Sequence, residues 1–259
     1  MAHEGAGKET VSERTGDLLG KSLARLAGIL FGEESVEGVL DLLVELARET
    51  IRGADLASVT LSRQGTLVTA GYSDELALAL DRAQYEAGDG PCVQALLEGV
   101  VVHANDNLAS WPALAGQAKK VGIRSVLSTP LPVRGTVVAS LNLYSHSPAF
   151  EDAARQVNTL FAAPAAIALA NAMAYAAASE LAENLREAIA TREIIGEAKG
   201  ILMARQNCTS DEAFDILRRA SQRTNRKLRE IALDLVRSTE RGHRGATAVS
   251  AHRGDLELR

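Results

Sequence analysis

Cysteine is almost missing from this chain. Cys92 and Cys208 are its only two, each without a neighbour at metal-ligand spacing, so a disulfide framework and a cysteine metal site are excluded and both read as reduced thiols. No stretch approaches about 18 uninterrupted apolar residues, and the opening MAHEGAGKETVSERTGD lacks the apolar core of a signal peptide. A cytoplasmic protein that does not enter a membrane is therefore expected. Catalytic signatures are missing too. The glycines of GDGP (Gly88 to Pro91) are not followed by the Lys-Ser/Thr pair of a phosphate-binding loop, and Asp106 and Asp152 have no paired-carboxylate context. Cys92 stands where a helix N-terminus could activate a thiol, but His103 belongs to no nucleophile motif; a buried structural cysteine is the expectation. His103 and His146 read as isolated structural histidines, so no metal, no cofactor and no enzymatic activity are expected.

What is present is a chain of 259 residues, 46% hydrophobic and 24% charged, enough for one medium and one small domain with real cores. The net charge of −5 conceals an asymmetry. Arg192 to Arg241 holds 11 Lys/Arg against 8 Asp/Glu, leaving 17 against 25 for the rest. Within it, LRRASQRTNRKLR (Leu217 to Arg229) has six basic residues and no acid. A basic run can be a solvated helix face or a polyanion contact, and composition alone does not separate the two.

Residues 1–17 and 241–259 have few large apolar groups and no periodicity, and read as flexible tails. Leu23, Leu26, Ala27 and Leu30, then Val39, Leu40, Leu43, Val44, Leu46 and Ala47, are at helical spacing and predict two helices with a break near Gly32 to Ser35. Strand periodicity follows: LASVTLS and TLVTAGYS about a tight turn at RQG, then VVHAND, SVLSTPLPV, a turn at Gly135, and TVVASLNLYSHS. In the last, Val138, Ser140, Asn142 and Tyr144 share one face and Val137, Ala139, Leu141 and Leu143 the other. One short helix at Cys92 to Leu97 and another in NLASWPALAGQAKKVG complete the series. The order helix, helix, strand, strand, helix, strand, helix, strand, strand, helix predicts an α+β domain on one mostly antiparallel sheet with flanking helices.

That order, with GDGPC at Gly88 to Cys92, Trp111-Pro112, GIRSVLSTPL at Gly122 to Leu131, and SLNLYS before an acidic helix start at Glu151, resembles the GAF domains of actinobacterial regulators. The resemblance spans roughly Lys21 to Asn171, and the domain is placed at 18–171. It implies a small-molecule sensor or a dimerisation module and leaves any ligand unknown.

An alanine-rich helix is predicted from about Ala153 to Arg205, with Pro164 expected to kink or restart it. Ala174, Ala178, Leu181, Leu185, Ala188 and Ile195 alternate by four and three, broken at Arg192, the spacing of a coiled-coil seam. A coiled coil over 172–192 and a homodimer follow. A helix packed only on its own domain is the competing reading.

Thr209 and Glu212 have capping-box spacing, opening a helix with apolar face Ala213, Phe214, Leu217 and Ala220. After the Thr224-Asn225 break a third helix presents Leu228, Ile231, Ala232 and Leu235, and Ile194, Ile195, Ile201 and Leu202 supply the remaining wall. An all-α three-helix bundle over 193–240 is predicted. EAKGILMARQNCTSDEAFDILRRASQRTNRKLREIALDLV resembles the ANTAR domain of transcription antitermination regulators, through Ala198, Lys199, Gly200, Met203, Ala213, Phe214, Leu217, Ser221, Asn225, Lys227, Leu228 and Ala232 in that order. The resemblance implies an RNA partner, paired hairpins with six-nucleotide loops in nascent mRNA, whose stabilisation prevents a terminator from forming. The contacts expected are Lys199, Arg218, Arg219, Gln222, Arg223, Asn225 and Lys227, with Arg205 secondary; Gly200 would allow close backbone approach, and Ser221 and Asn225 also fit a helix end. Phe214 is expected in the core, which leaves no aromatic platform. A dimerisation adaptor that binds no RNA is the alternative from another class.

Overall fold

The computed structural model describes residues 11–29, 35–106, 108–133 and 136–239. The expected break at Gly32, the Gly135 turn and the 241–259 tail lie outside them. Two compact units divide the chain between Ala177 and Ala178.

The first unit opens with helices α1 (Val11–Ile29) and α2 (Val36–Thr50). Helix α1 reaches back to Val11, into residues that read as a tail. Ser35 caps α2 by accepting from the Gly38 N–H, and Ser22 on α1 meets Thr50 on α2 at 2.6 Å between hydroxyls. Strands β1 (Leu56–Arg63) and β2 (Thr66–Tyr72) form a hairpin through Gln64 and Gly65, both at positive φ (51° and 81°), as a twist-matched two-residue turn requires. Strands β3 (Val102–Ala104), β4 (Ser125–Val133) and β5 (Thr136–Ser145) complete a five-stranded sheet in the order β2-β1-β5-β4-β3, every neighbouring pair antiparallel. The α+β expectation with a central antiparallel sheet matches this architecture.

Between β2 and β3 lie two helices where the sequence pattern predicts one: α3 (Glu75–Ala87) precedes α4 (Pro91–Glu98). Helix α5 (Pro112–Val121) follows the Trp111-Pro112 pair. Both α4 and α5 start on a proline at the first helical position and end on a left-handed glycine, Gly99 or Gly122, so two of the quoted motifs are helix boundaries.

The sheet has two dissimilar faces. Ala57, Val59 and Leu61 of β1 and Ala139, Leu141 and Leu143 of β5 pack with α2 and with the start of α6 (Asp152–Gln206) in one apolar core. The alternate residues Ser58, Thr60, Ser140, Asn142 and Tyr144 are polar and fully buried. Their partners come from α3 and from one another. Tyr144 donates to Asp81 at 2.5 Å, Thr69 donates to the other carboxylate oxygen at 2.8 Å, and Asn142 Nδ2 bonds the Thr60 hydroxyl at 2.8 Å. Gln84 donates to the Tyr144 hydroxyl (3.0 Å) and accepts from the Cys92 backbone N–H (3.0 Å). A methyl group at Gly90 (φ 153°) would lie 2.4 Å from the Gln84 side-chain oxygen. The GDGPC motif thus seats α4 on a buried glutamine. Burial pushes the Cys92 thiol well up and so keeps it neutral.

Helix α6 runs unbroken through Pro164, where a kink or restart was expected. Phe161, Ala165, Ala168 and Leu169 are buried on both sides of the ring, and that packing offsets the roughly 3 kcal/mol an interior proline costs. Among the described residues α6 is also the one helix long and apolar enough to cross a membrane, with mean hydropathy 1.6 over 18 residues. The sequence reading had found no such stretch, because Asn158, Pro164 and Asn171 interrupt the apolar run, yet no charge falls between Gln156 and Glu180. A third of the window (33%) is buried within the protein.

Two predictions follow from the polar layer. Desolvation raises the Asp81 pKa to about 6, against the opposing bonds from Tyr144 and Thr69. An acid raised by folding stabilises the fold fully below its unfolded value near 4 and loses that contribution as pH rises through 6. Relative to Asp81→Asn, the native chain should lose roughly 2–3 kcal/mol between pH 4.5 and pH 8 in denaturant titrations, while the variant's own curve is flatter. Gly90→Ala should displace Gln84 and destabilise the first unit by about 2 kcal/mol or more, read as a lower unfolding midpoint.

Candidate nucleic-acid interface

The second unit is built from the C-terminal part of α6, helix α7 (Ser210–Thr224) and a helical stretch at 228–239. Its core is small: Ala198 and Leu202 of α6, Ala213 and Leu217 of α7, and Ala232 are buried, with Ile194, Ile195, Leu228, Ile231 and Leu235 packed around them. Alanine at three of the five central positions lets the helices approach closely. The capping box is present in full, Thr209 accepting from the Glu212 N–H and Glu212 accepting from the Thr209 N–H at 2.8 Å. Those bonds hold the Glu212 carboxyl below its usual range.

Phe214 departs from the expectation. It is 38% exposed and stands outside the buried core. At about 100° of rotation per residue, the inward stripe of α7 is centred on Ala213 and Leu217, which turns Phe214 onto the flank. The same geometry sorts the expected contacts into two groups. Phe214, Arg218, Ser221 and Asn225 follow one stripe at intervals of four, three and four, while Arg219 and Arg223 lie on the opposite flank. Lys199 of α6 joins the first group, its ammonium 5.9 Å from the Phe214 ring centroid.

Not every cation of the basic run is available. Arg226 bonds Glu230 and Asp234, Arg229 bonds Glu187, and Arg218 meets Asp215 at 2.8 Å. Arg219, Arg223 and Lys227 are exposed and form no ion pair with a described residue. The Arg218 pair is exposed, of a kind worth about 0.2–1 kcal/mol, so a phosphate can displace the aspartate. Arg205 is bonded to the Thr239 hydroxyl at 2.9 Å.

Asn225 and Ser221 have defined local duties. Asn225 ends α7 in the left-handed conformation (φ 51°, ψ 36°), its N–H donating to the Ser221 carbonyl, and the Ser221 hydroxyl donates to the Arg226 carbonyl at 2.5 Å. The Ser221 proton is therefore engaged by the turn, whereas the Asn225 amide and Gln222 are exposed. Gly200 is exposed in mid-helix, and a methyl group built there meets no atom within 4 Å. Packing among the described residues does not require this glycine. Its neighbour one turn back, Gly196, is equally open.

Four of the residues expected as a seam are uncovered, Leu181 and Leu185 at 60% and 55% exposure and Ala178 and Ala188 exposed as well, whereas Ala174 is half-buried and Ile195 packs on the core of the second unit.

Comparisons with known proteins agree with these two units. The GAF domain model matches residues 33–170 and the ANTAR domain model residues 183–236. A search of curated protein sequences finds no match. Among solved structures, the chain is similar to the GAF domain of a phosphoenolpyruvate-protein phosphotransferase from Acinetobacter (16% identity, 63% of this chain and 97% of that one, TM-score 0.46). It is also similar to a free methionine-R-sulfoxide reductase from Neisseria meningitidis, in complex with its substrate (20%, 69% and 98%, 0.48). A third likeness is to the GAF domain of a phosphoenolpyruvate-protein phosphotransferase from Coxiella burnetii (17%, 62% and 98%, 0.48). With the five-stranded antiparallel sheet and the C-terminal helices in place, the chain belongs to the GAF-domain family and carries an ANTAR domain after its GAF domain, the arrangement of a GAF-ANTAR regulator.

Proposed function

We propose that the chain is a cytoplasmic RNA-binding antitermination regulator. Two copies would pair along α6, and their ANTAR domains would bind two six-nucleotide-loop hairpins of a nascent mRNA, so that a terminator does not form. The observation that carries this reading is the polar, cationic surface of the second unit: Arg219, Arg223 and Lys227 without an ion-pair partner among the described residues, Lys199 on the other flank beside Phe214, and the exposed amides of Gln222 and Asn225. Cations of this kind neutralise phosphates, and amides hydrogen-bond the edges of unstacked loop bases.

Pairing is supported by the uncovered Leu181 and Leu185, large apolar groups that a second helix would remove from water. A dimer also suits a two-hairpin target, because the second contact becomes intramolecular. The GAF domain would modulate this output through a small-molecule signal.

Titration of the full chain against a two-hairpin RNA at several salt concentrations should show saturable binding that weakens as salt rises. Lys199→Ala with Arg223→Ala should weaken it and reduce the log–log salt slope by about two. Undiminished affinity in that double variant would remove these residues from the interface, and absence of binding by the native chain would favour a dimerisation adaptor. Gly200→Ala should stabilise the isolated protein by about 0.5–1 kcal/mol yet weaken RNA binding, if the bare backbone is what the RNA approaches. A gain in stability with unchanged affinity would remove Gly200 from the contact surface.

A further inference from the structure

Beside Phe214 runs an open groove of about 540 Å³, walled on α6 by Asn184, Ala188, Thr191, Arg192 and Ile195. Its volume is within the roughly 300–1,000 Å³ of sites that hold small molecules. Its one acidic wall residue, Glu187, is bonded to Arg229, while Arg192 is exposed and forms no ion pair with a described residue. An exposed aromatic ring in a small domain otherwise without aromatics, with an ammonium over it and a guanidinium beside it, has no use in the apolar core.

We propose that Phe214 is a stacking site for an unpaired base of an RNA loop, with Lys199 and Arg192 meeting that nucleotide's phosphates. This inference rests on the RNA-binding reading above and adds a recognition element to it. The surface favours a nucleic acid over a second copy of the chain. The four-three seam of α6 reaches Arg192 after Ala188, and in a parallel pair that position would bring two like charges together at the axis. Protein pairing therefore gives out where the ring, Lys199 and Arg192 come together. A base supplies what that place lacks: a flat π-face for the ring and negative charge for the two cations. Arg218, one turn further along the same stripe of α7, and the Asn225 amide beyond it then lie in line to read base edges.

The test is the same two-hairpin RNA carrying 2-aminopurine, in turn, at each of its six loop positions. With the native full-length chain, fluorescence should be quenched at one position in particular. Phe214→Leu, which keeps an apolar side chain at an exposed site, should abolish that quenching and weaken binding about tenfold or more, whereas Phe214→Trp should keep both. An abasic nucleotide at that position should weaken native binding to a similar degree, with little further loss when combined with Phe214→Leu. Native binding that Phe214→Leu leaves unchanged would overturn the stacking site and leave the RNA-binding reading intact. A Phe214→Leu chain whose defect is in self-association, seen by sedimentation, while its dimer binds RNA normally would also overturn it, assigning the groove to a second copy. Absence of RNA binding by the native chain would overturn both proposals.

Discussion

Helix α6 is the constraint on which the rest of the structure depends. It contributes to two cores: Phe161, Ala165, Leu169 and Ala172 close the apolar face of the GAF sheet, and Ala198 and Leu202 belong to the ANTAR bundle. The middle of the helix belongs to neither core. There Leu181, Leu185 and Ile189 face water in a single chain, an arrangement that a second helix would relieve. Among the described residues the ANTAR core has five buried side chains, two of which α6 supplies.

The GAF domain is built on an opposite economy. One face of its sheet is conventional and apolar, and the other is a hydrogen-bonded layer in which Asp81, Asn142, Tyr144, Thr60, Thr69 and Gln84 bond one another, while the buried Ser128 hydroxyl opposite Asn142 has no partner among the described residues. Buried polar groups are tolerable only when such partners are present. The residues that hold the layer closed are themselves specialised: Gly90 leaves room for Gln84, and Gln84 ties α3 to the start of α4 and to Tyr144. Desolvation in this layer raises the Asp81 carboxyl to about 6.

Much of this could be read in the sequence where the pattern came from burial on one side. The alternation of β5, the apolar stripe of α2, the capping box at Thr209 and the helices after Gly90-Pro91 and within NLASWPALAGQAKKVG all carried through. Helix α3 was missed for a physical reason. Its inward face includes Asp81 and Gln84 among Ala77 and Leu80, so the apolar period by which helices are recognised is interrupted at two of its four buried positions. The buried layer was invisible with it, since Ser140 and Asn142 then looked like an ordinary polar face. Phe214 failed in the other direction: an aromatic residue is a reasonable core candidate by type, and only the rotation of α7 about its alanine centre shows that the ring looks outward. The basic run was legible as a run, but which of its cations are held by Asp215, Glu187, Glu230 and Asp234 depends on distances that sequence does not contain.

The two halves join into one account of function: an N-terminal GAF domain, a helix shared by both units, and a C-terminal bundle whose exposed groups suit RNA loops. In vitro transcription through a terminator tests that account most directly, using a template that encodes two six-nucleotide-loop hairpins overlapping the terminator. The account predicts that the full chain raises readthrough in proportion to its occupancy of the RNA, and that deleting either hairpin or introducing Lys199→Ala with Arg223→Ala removes the effect. Readthrough unchanged at saturating RNA occupancy would contradict it.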